Sequence, residues 1–142
     1  MSQKKTEFVI LGQPIPCSRP RVTQRGTFYP KKYREAKEIY AGQISFHFAQ
    51  HRLSPFVGPV SLHIEFVHKR PKALRGIDRV WKVTRPDLDN LVKTVKDALS
   101  AGGAWADDSQ CCLLYCIDNY GEPNEEPHTR VIMSEITESP SG

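Results

Sequence analysis

Arg85-Pro86-Asp87-Leu88-Asp89-Asn90-Leu91-Val92-Lys93, answered downstream by Trp105-Ala106-Asp107-Asp108, is the stretch from which both the fold and the chemistry are read. Asp87 and Asp89 stand two apart, and in an extended segment that spacing turns both carboxylates to one face. Pro86 disfavours helix before it, and a helical pattern begins just after it. Leu88, Leu91, Val92, Val95, Ala98 and Leu99 recur at helical spacing, so one side is apolar. Asp89, Lys93 and Lys96 share the other side, and Gly102-Gly103 ends the helix. A helix over 90–100 is about 15 Å long. Residues 101–108, if extended, reach about 25 Å. The expectation is therefore that Asp107 and Asp108 are carried back to the end where Asp87 and Asp89 sit, with Lys93 one turn away.

Acids at that density repel one another unless neutralised. A hard divalent cation, Mg²⁺ or Mn²⁺, removes the repulsion and prefers oxygen ligands. One aspartate at a helix start is ordinarily only a cap that complements the dipole. Asp87, Asp89, Asp107 and Asp108 together exceed what a cap needs. An EF-hand loop is excluded: Val92 stands where its turn glycine belongs, Leu88 and Asn90 fill alternate places, and no Glu follows at the twelfth position.

The chain has 142 residues, 39% of them hydrophobic, enough for one domain with a modest core. No signal peptide and no apolar run of bilayer length is read, so the expected compartment is the cytoplasm. Cys17, Cys111, Cys112 and Cys116 form no CxxC pair, which argues against both a zinc site and a disulfide framework and for reduced, packed thiols. The net charge of +4 conceals an asymmetry. Residues 1–100 hold 19 Lys+Arg against 8 Asp+Glu, and residues 101–142 hold 1 against 8. A basic body with a few acids set into it suits a polyanion, most simply nucleic acid.

Outward from the centre, Val60, Leu62, Ile64 and Phe66 alternate with polar residues and read as a strand. It runs into Lys69, Arg70, Lys72, Arg75, Arg79, Lys82 and Arg85, with Asp78 the single acid among them. Bases beside an acidic site can hold the phosphate backbone while chemistry occurs at one phosphate. Glu7 to Leu11 reads as a first strand. Gly12 to Pro30 reads as a loop, punctuated by Pro14, Pro16, Pro20 and Gly26, with a small hairpin near Arg25-Gly26. It carries Arg19, Arg21 and Arg25 beside Phe28 and Tyr29, a combination suited to phosphates and unstacked bases. Pro30 opens a helix to about Arg52 with Tyr33, Ala36, Tyr40, Ile44 and Phe48 on its core stripe. His47 and His51 lie four apart on it without an HExxH pattern and read as surface residues. Cys111 to Ile117 and Thr129 to Ile136 read as two further strands, expected to pair as a hairpin across the polar loop 121–127. Residues 139–142 read as a frayed tail, and no repeat or interior domain boundary is seen.

At the central block the chain resembles the RusA-type Holliday-junction resolvases. Pro86-Asp87-Leu88-Asp89-Asn90-Leu91 is similar to that family's "DLDNL" core, Lys93 stands at its lysine, Asp97-Ala98-Leu99 at its "DAL", and Asp107-Asp108 at the pair after the helix. Gly12-Gln13-Pro14, Ser18-Arg19-Pro20-Arg21 and Tyr29-Pro30 resemble its early segments, so the match is ordered from about residue 8 to 136. The resemblance implies an α+β fold, a small mixed β-sheet of about four strands packed with two helices, and a homodimer. It implies Mg²⁺-dependent cutting of four-way DNA junctions by paired nicks in recombination and repair. It also implies that Asp87, Asp89 and Asp108, with Asp107 beside them, bind metal and that Lys93 is catalytic. Arg19, Arg21, Lys69, Arg70, Lys72 and Arg85 are the expected DNA contacts. A junction-binding protein without catalysis, and a broader nuclease on flaps and forks, are the alternatives. A nucleotide phosphatase is disfavoured because no Gly-rich phosphate loop is present.

Overall fold

The computed structural model describes residues 3–74, 76 and 80–140. Arg75, Asp78 and Arg79 of the basic linker lie outside the described residues. The order is β1 (Lys5–Leu11), β2 (Arg21–Thr23), β3 (Gly26–Phe28), α1 (Lys31–Gln50), β4 (Val60–His68), α2 (Leu88–Ala101), β5 (Cys111–Tyr120) and β6 (His128–Glu135). Single 3₁₀ turns at Lys72–Leu74 and Asp108–Gln110 precede and follow α2. The fold is α+β: a mixed four-stranded sheet in the order β1-β6-β4-β5, two helices, and the small β2-β3 hairpin expected near Arg25-Gly26. None of the described helices is long and apolar enough to cross a membrane.

The alternation in β4 marks the centre of this sheet. Leu62, Ile64 and Phe66 point to the helix side and are at most 1% exposed. They meet Tyr40, Ile44 and Phe48 of α1, Leu91, Val95 and Leu99 of α2, and Val131 and Met133 of β6 in one core. Burying a side chain of this size contributes about 1.5–3 kcal/mol, which makes α2 a principal source of stability as well as the carrier of the Asp block. Gly102, just past α2, lets the two helices close together. A Cβ there would lie 2.9 Å from the Ala41 carbonyl oxygen and 3.1 Å from Ile44 Cβ.

One expected pairing is overturned. β6 does not form a hairpin with β5; it lies antiparallel between β1 and β4, while β5 pairs with β4 in parallel. The cause is α2. A strand that follows a helical crossover returns in the same direction as the strand before it. β5 therefore takes one side of β4, and the 121–127 loop carries the chain across β4 to its other side. Alternating hydrophobicity reports which face a residue takes, not which strand lies beside it.

The two sheet edges differ. β1 carries Lys5 and Glu7, and the Leu11 amide donates to Gln43 Oε1 of α1 at 2.9 Å. On β5, among the described residues, only the far end is covered, where the Lys82 amide donates to the Asp118 carbonyl and the Tyr120 amide to the Val80 carbonyl. Leu113, Leu114 and Tyr115 are each about half exposed. All four cysteines are free thiols, but Cys112, expected to pack, is exposed on this strand.

Candidate active site

α2 begins where Asp87 occupies the N-cap with extended backbone, φ −69° and ψ 146°. Its carbonyl accepts from the Asn90 and Leu91 amides, so the backbone starts the helix. Its carboxylate makes no capping bond. The plain capping reading of Asp87 therefore does not hold. Asp87 and Asp89 are both exposed, and among the described residues neither has a hydrogen-bond or ion-pair partner. They line one open cleft with Pro16, Cys17, Ser18, Arg19, Arg85 and Asn90.

The arginine loop is anchored beside this cleft. Gln13 Nε2 lies 3.2 Å from Nδ1 of the buried His68, whose Nε2 is 2.6 Å from Asp118 Oδ1. The Ile15 amide donates to the Tyr40 hydroxyl at 3.0 Å. The Cys17 amide donates to the Asn90 carbonyl, 2.9 Å away on α2 itself. Three ties along the stem hold Arg19 next to two uncompensated carboxylates, while Arg21 lies exposed on β2.

One turn along α2 the next cleft opens, lined by Tyr29, Tyr33, Lys37, Lys93, Asp97, Ser100, Asp107 and Asp108. Lys93 Nζ lies 3.4 Å from Asp97 Oδ1. Burial pulls the Lys93 ammonium toward neutrality, but the charge and hydrogen bond of Asp97 outweigh it and hold its pKa above the ordinary value. The other Asp97 oxygen accepts the hydroxyl of Tyr33. Burial, reinforced by that carboxylate, pushes the Tyr33 phenol upward, so it stays a proton donor. Ser100 Oγ donates to Asp108 Oδ1 at 2.7 Å and accepts from the Trp105 indole nitrogen at 2.8 Å.

Asp107 is committed locally. Its carboxylate accepts from the Ser109 amide and hydroxyl, and the Gln110 side chain accepts from the Asp107 amide, a reciprocal capping box. Those Ser109 bonds hold the Asp107 carboxyl below its usual range. Asp107 thus caps the 3₁₀ turn at Asp108–Gln110, not α2.

The four aspartates are not gathered into one cluster. Among the described residues no three Asp, Glu, His or Cys side chains come together as a metal-binding group. The return path is short because residues 101–105 are not extended. The Gly102 amide bonds Ala98, the Ala104 amide bonds Leu99, and the Phe56 amide bonds the Ala104 carbonyl. With Trp105 buried beneath, the chain turns back only as far as Ser100. From position 89 to position 100 the helix rises about 16 Å. Asp87 and Asp89 therefore serve one cleft and Asp108 the next, with Lys93 between them in sequence.

The donor set at the helix start fits a hard divalent cation. It offers two exposed, unpartnered carboxylates in one cleft, and Mg²⁺ is commonly held by one or two carboxylates with water and phosphate oxygens in its other positions.

The basic linker divides. Arg85 lines the acidic cleft, through a cis Arg85-Pro86 bond. Arg70 is buried, contrary to its expected DNA contact. Its guanidinium donates to the Gly121 carbonyl at 2.7 Å and the Leu74 carbonyl at 2.8 Å, which welds the linker to the sheet. Lys69 faces Glu122, Glu125 and Glu126 in a separate cleft, and Lys72 is exposed on the 3₁₀ turn. His47, expected at the surface, is half buried against Thr6 Oγ1 at 2.7 Å. Tyr33, Ser100 and Trp105 were not legible as site residues: Tyr33 looks like core, and Ser100 finds its partners through the turn. Asp97 carried a signal in its spacing of four from Lys93.

Residues 12–133 match the family model described as Endodeoxyribonuclease RusA. Among curated proteins the chain is 29% identical over 141 residues to the uncharacterized protein YqaN of Bacillus subtilis strain 168, covering 92% of this chain and 96% of that protein. The family match spans the arginine loop, both clefts and most of the sheet, and the chain belongs to the RusA endodeoxyribonuclease family.

Proposed function

We propose that this chain is a Mg²⁺-dependent endodeoxyribonuclease that acts as a homodimer on four-way DNA junctions, with paired symmetric nicks that serve recombination and repair. The observation that carries the reading is the pair Asp87 and Asp89, without partners among the described residues, in the cleft they share with Arg19 and Arg85, in a chain of this family. In this reading Asp87 and Asp89 hold the cation, and Asp108 faces the DNA from the adjoining cleft. A cation held by Asp87 and Asp89 would lower the pKa of a bound water and offset negative charge on the phosphate oxygens. Arg19, Arg21 and Arg85 hold the DNA backbone and set which phosphate enters. Lys93 places a fixed positive charge beside that phosphate, where a preorganised charge is worth most as charge develops. Two copies related by a two-fold axis would present two such sites to a substrate with the same symmetry.

A mobile four-way junction incubated with and without Mg²⁺ tests the proposal, with Mn²⁺ as the alternative ion. Nicking is expected only with the ion. Asp87→Asn should abolish it while binding stays equal or tightens, since one repulsive charge is removed. A normal rate from that variant defeats the metal assignment. The separation of the two acid pairs is the observation that favours the non-catalytic alternative, a junction-holding protein, and absence of nicking under both ions would select it. Competition among junction, flap and duplex decides between a resolvase and a broader branch nuclease.

A further inference from the structure

We propose that Asp97, braced by Tyr33, is a positioning residue that aims the Lys93 ammonium into its cleft; this rests on the role given to Lys93 above. A lysine on an exposed helix face ordinarily samples many rotamers, and fixing it costs entropy. Lys93 is 52% exposed, and Asp97, 3.4 Å away, is the one side chain among the described residues that bonds its ammonium.

Asp97 is not a free surface acid. Its side chain is only 20% exposed, and its second oxygen is taken by the Tyr33 hydroxyl. Tyr33 belongs to the other helix, is 2% exposed, and has the Tyr29 ring 5.1 Å from its own. The chain of contacts therefore runs from the packed core of α1, through one phenol, to a carboxylate on α2 and then to the ammonium.

Two simpler explanations fit less well. The pair is a weak choice for stabilising α2, because lysine lies N-terminal to aspartate, the less favourable order at this spacing. The buried phenol needs a hydrogen-bond partner, but a carbonyl or a water would satisfy it. A carboxylate whose other oxygen faces an ammonium does more: it transmits the rigidity of the core to a charged group in a cleft that also holds Asp107 and Asp108.

Asp97→Asn keeps the shape and can still accept the Tyr33 hydroxyl, while Tyr33→Phe keeps the packing. Each should lower kcat on a four-way junction by about 10–100-fold, the scale of a misplaced group. KM should stay equal or fall. The double variant should be little worse than either single one, because the two act through one link. Asp97→Glu should recover part of the rate.

A second arm is independent of nuclease activity. After reductive ¹³C-methylation, the Lys93 signal, assigned with Lys93→Met, should stand apart from the other lysines and merge with them in Asp97→Asn. Wild-type kcat in Asp97→Asn, with Lys93→Met inactive, overturns the inference and leaves the proposed function standing. Full activity in Lys93→Met instead removes the lysine from that function. The methyl spectrum then decides alone whether Asp97 holds the ammonium, and an unmoved signal in Asp97→Asn refutes it.

Discussion

Ser100→Ala deletes a single hydroxyl and breaks its two short bonds at once, along with a 3.4 Å contact to the Lys96 carbonyl. The Trp105 indole nitrogen, on a residue 2% exposed, loses its acceptor at 2.8 Å, and Asp108 loses its donor at 2.7 Å. A buried donor left unsatisfied costs about 1–3 kcal/mol. Asp108 is half buried, so water replaces its lost donor at a cost of about 0.5 kcal/mol. Against this, alanine is the better helix former near the end of α2 by about 0.5 kcal/mol. The net loss is about 2 kcal/mol, or about 6–8 °C in midpoint for a chain of this size. Thermal and urea unfolding followed by circular dichroism measure it, and with a slope near 2 kcal/mol/M the urea midpoint should fall by about 1 M. Trp105→Phe supplies the control: in that background Ser100→Ala should cost much less, because the orphaned N–H no longer exists. If Ser100→Ala is as stable as the parent, the indole does not depend on this hydroxyl, and the hold on Asp108 inferred from it fails too.

Gly102→Ala should destabilise by about 1–3 kcal/mol, because the new methyl meets the Ala41 carbonyl and Ile44 between the helices. An unchanged melting point would mean that the helices part freely at that crossing. Arg19→Ala and Arg21→Ala should weaken junction binding and flatten its salt dependence, by about 0.9 in the log–log slope for each phosphate no longer neutralised. A slope equal to the parent's removes the loop from the DNA interface. Asp107 has its folded pKa depressed by Ser109. Its stabilising effect is therefore present above the unfolded pKa and lost as pH falls through the lower folded value. Asp107→Asn should lower stability at neutral pH and converge on the parent as pH falls below about 4, which flattens the acid side of the stability–pH curve.

What could be read in advance follows from what each signal encodes. The apolar face of α2 and the alternation of β4 were legible because burial repeats with the period of the element, and Leu91, Val95, Leu62 and Ile64 all lie where that predicts. The partner of β6 was not legible, since face and neighbour are separate questions in a sheet. The path of residues 101–108 was not legible either, because reach does not fix conformation. Eight residues can span the helix, but the amides of Gly102 and Ala104 are spent on closing its last turn. Arg70 shows the same limit for charge: a guanidinium in a basic run reads as a DNA contact until two backbone carbonyls claim it. At the site, residue identities were readable and their grouping was not. Asp87 and Asp89 share a cleft because they adjoin in the chain, whereas Asp108 sits where a tertiary contact with Ser100 puts it.

The outer margin of β5 has a colloidal consequence. From Cys111 to Ile117 the strand contains no charge, no proline and no glycine, and Leu113, Leu114 and Tyr115 stand open on its two sides. Such a ribbon is a template onto which any extended peptide can zip, and natural proteins commonly blunt it with lysine. In concentrated samples, intermolecular stacking along this ribbon would set the solubility ceiling well before heat does, and Leu114→Lys is the smallest change that would raise it.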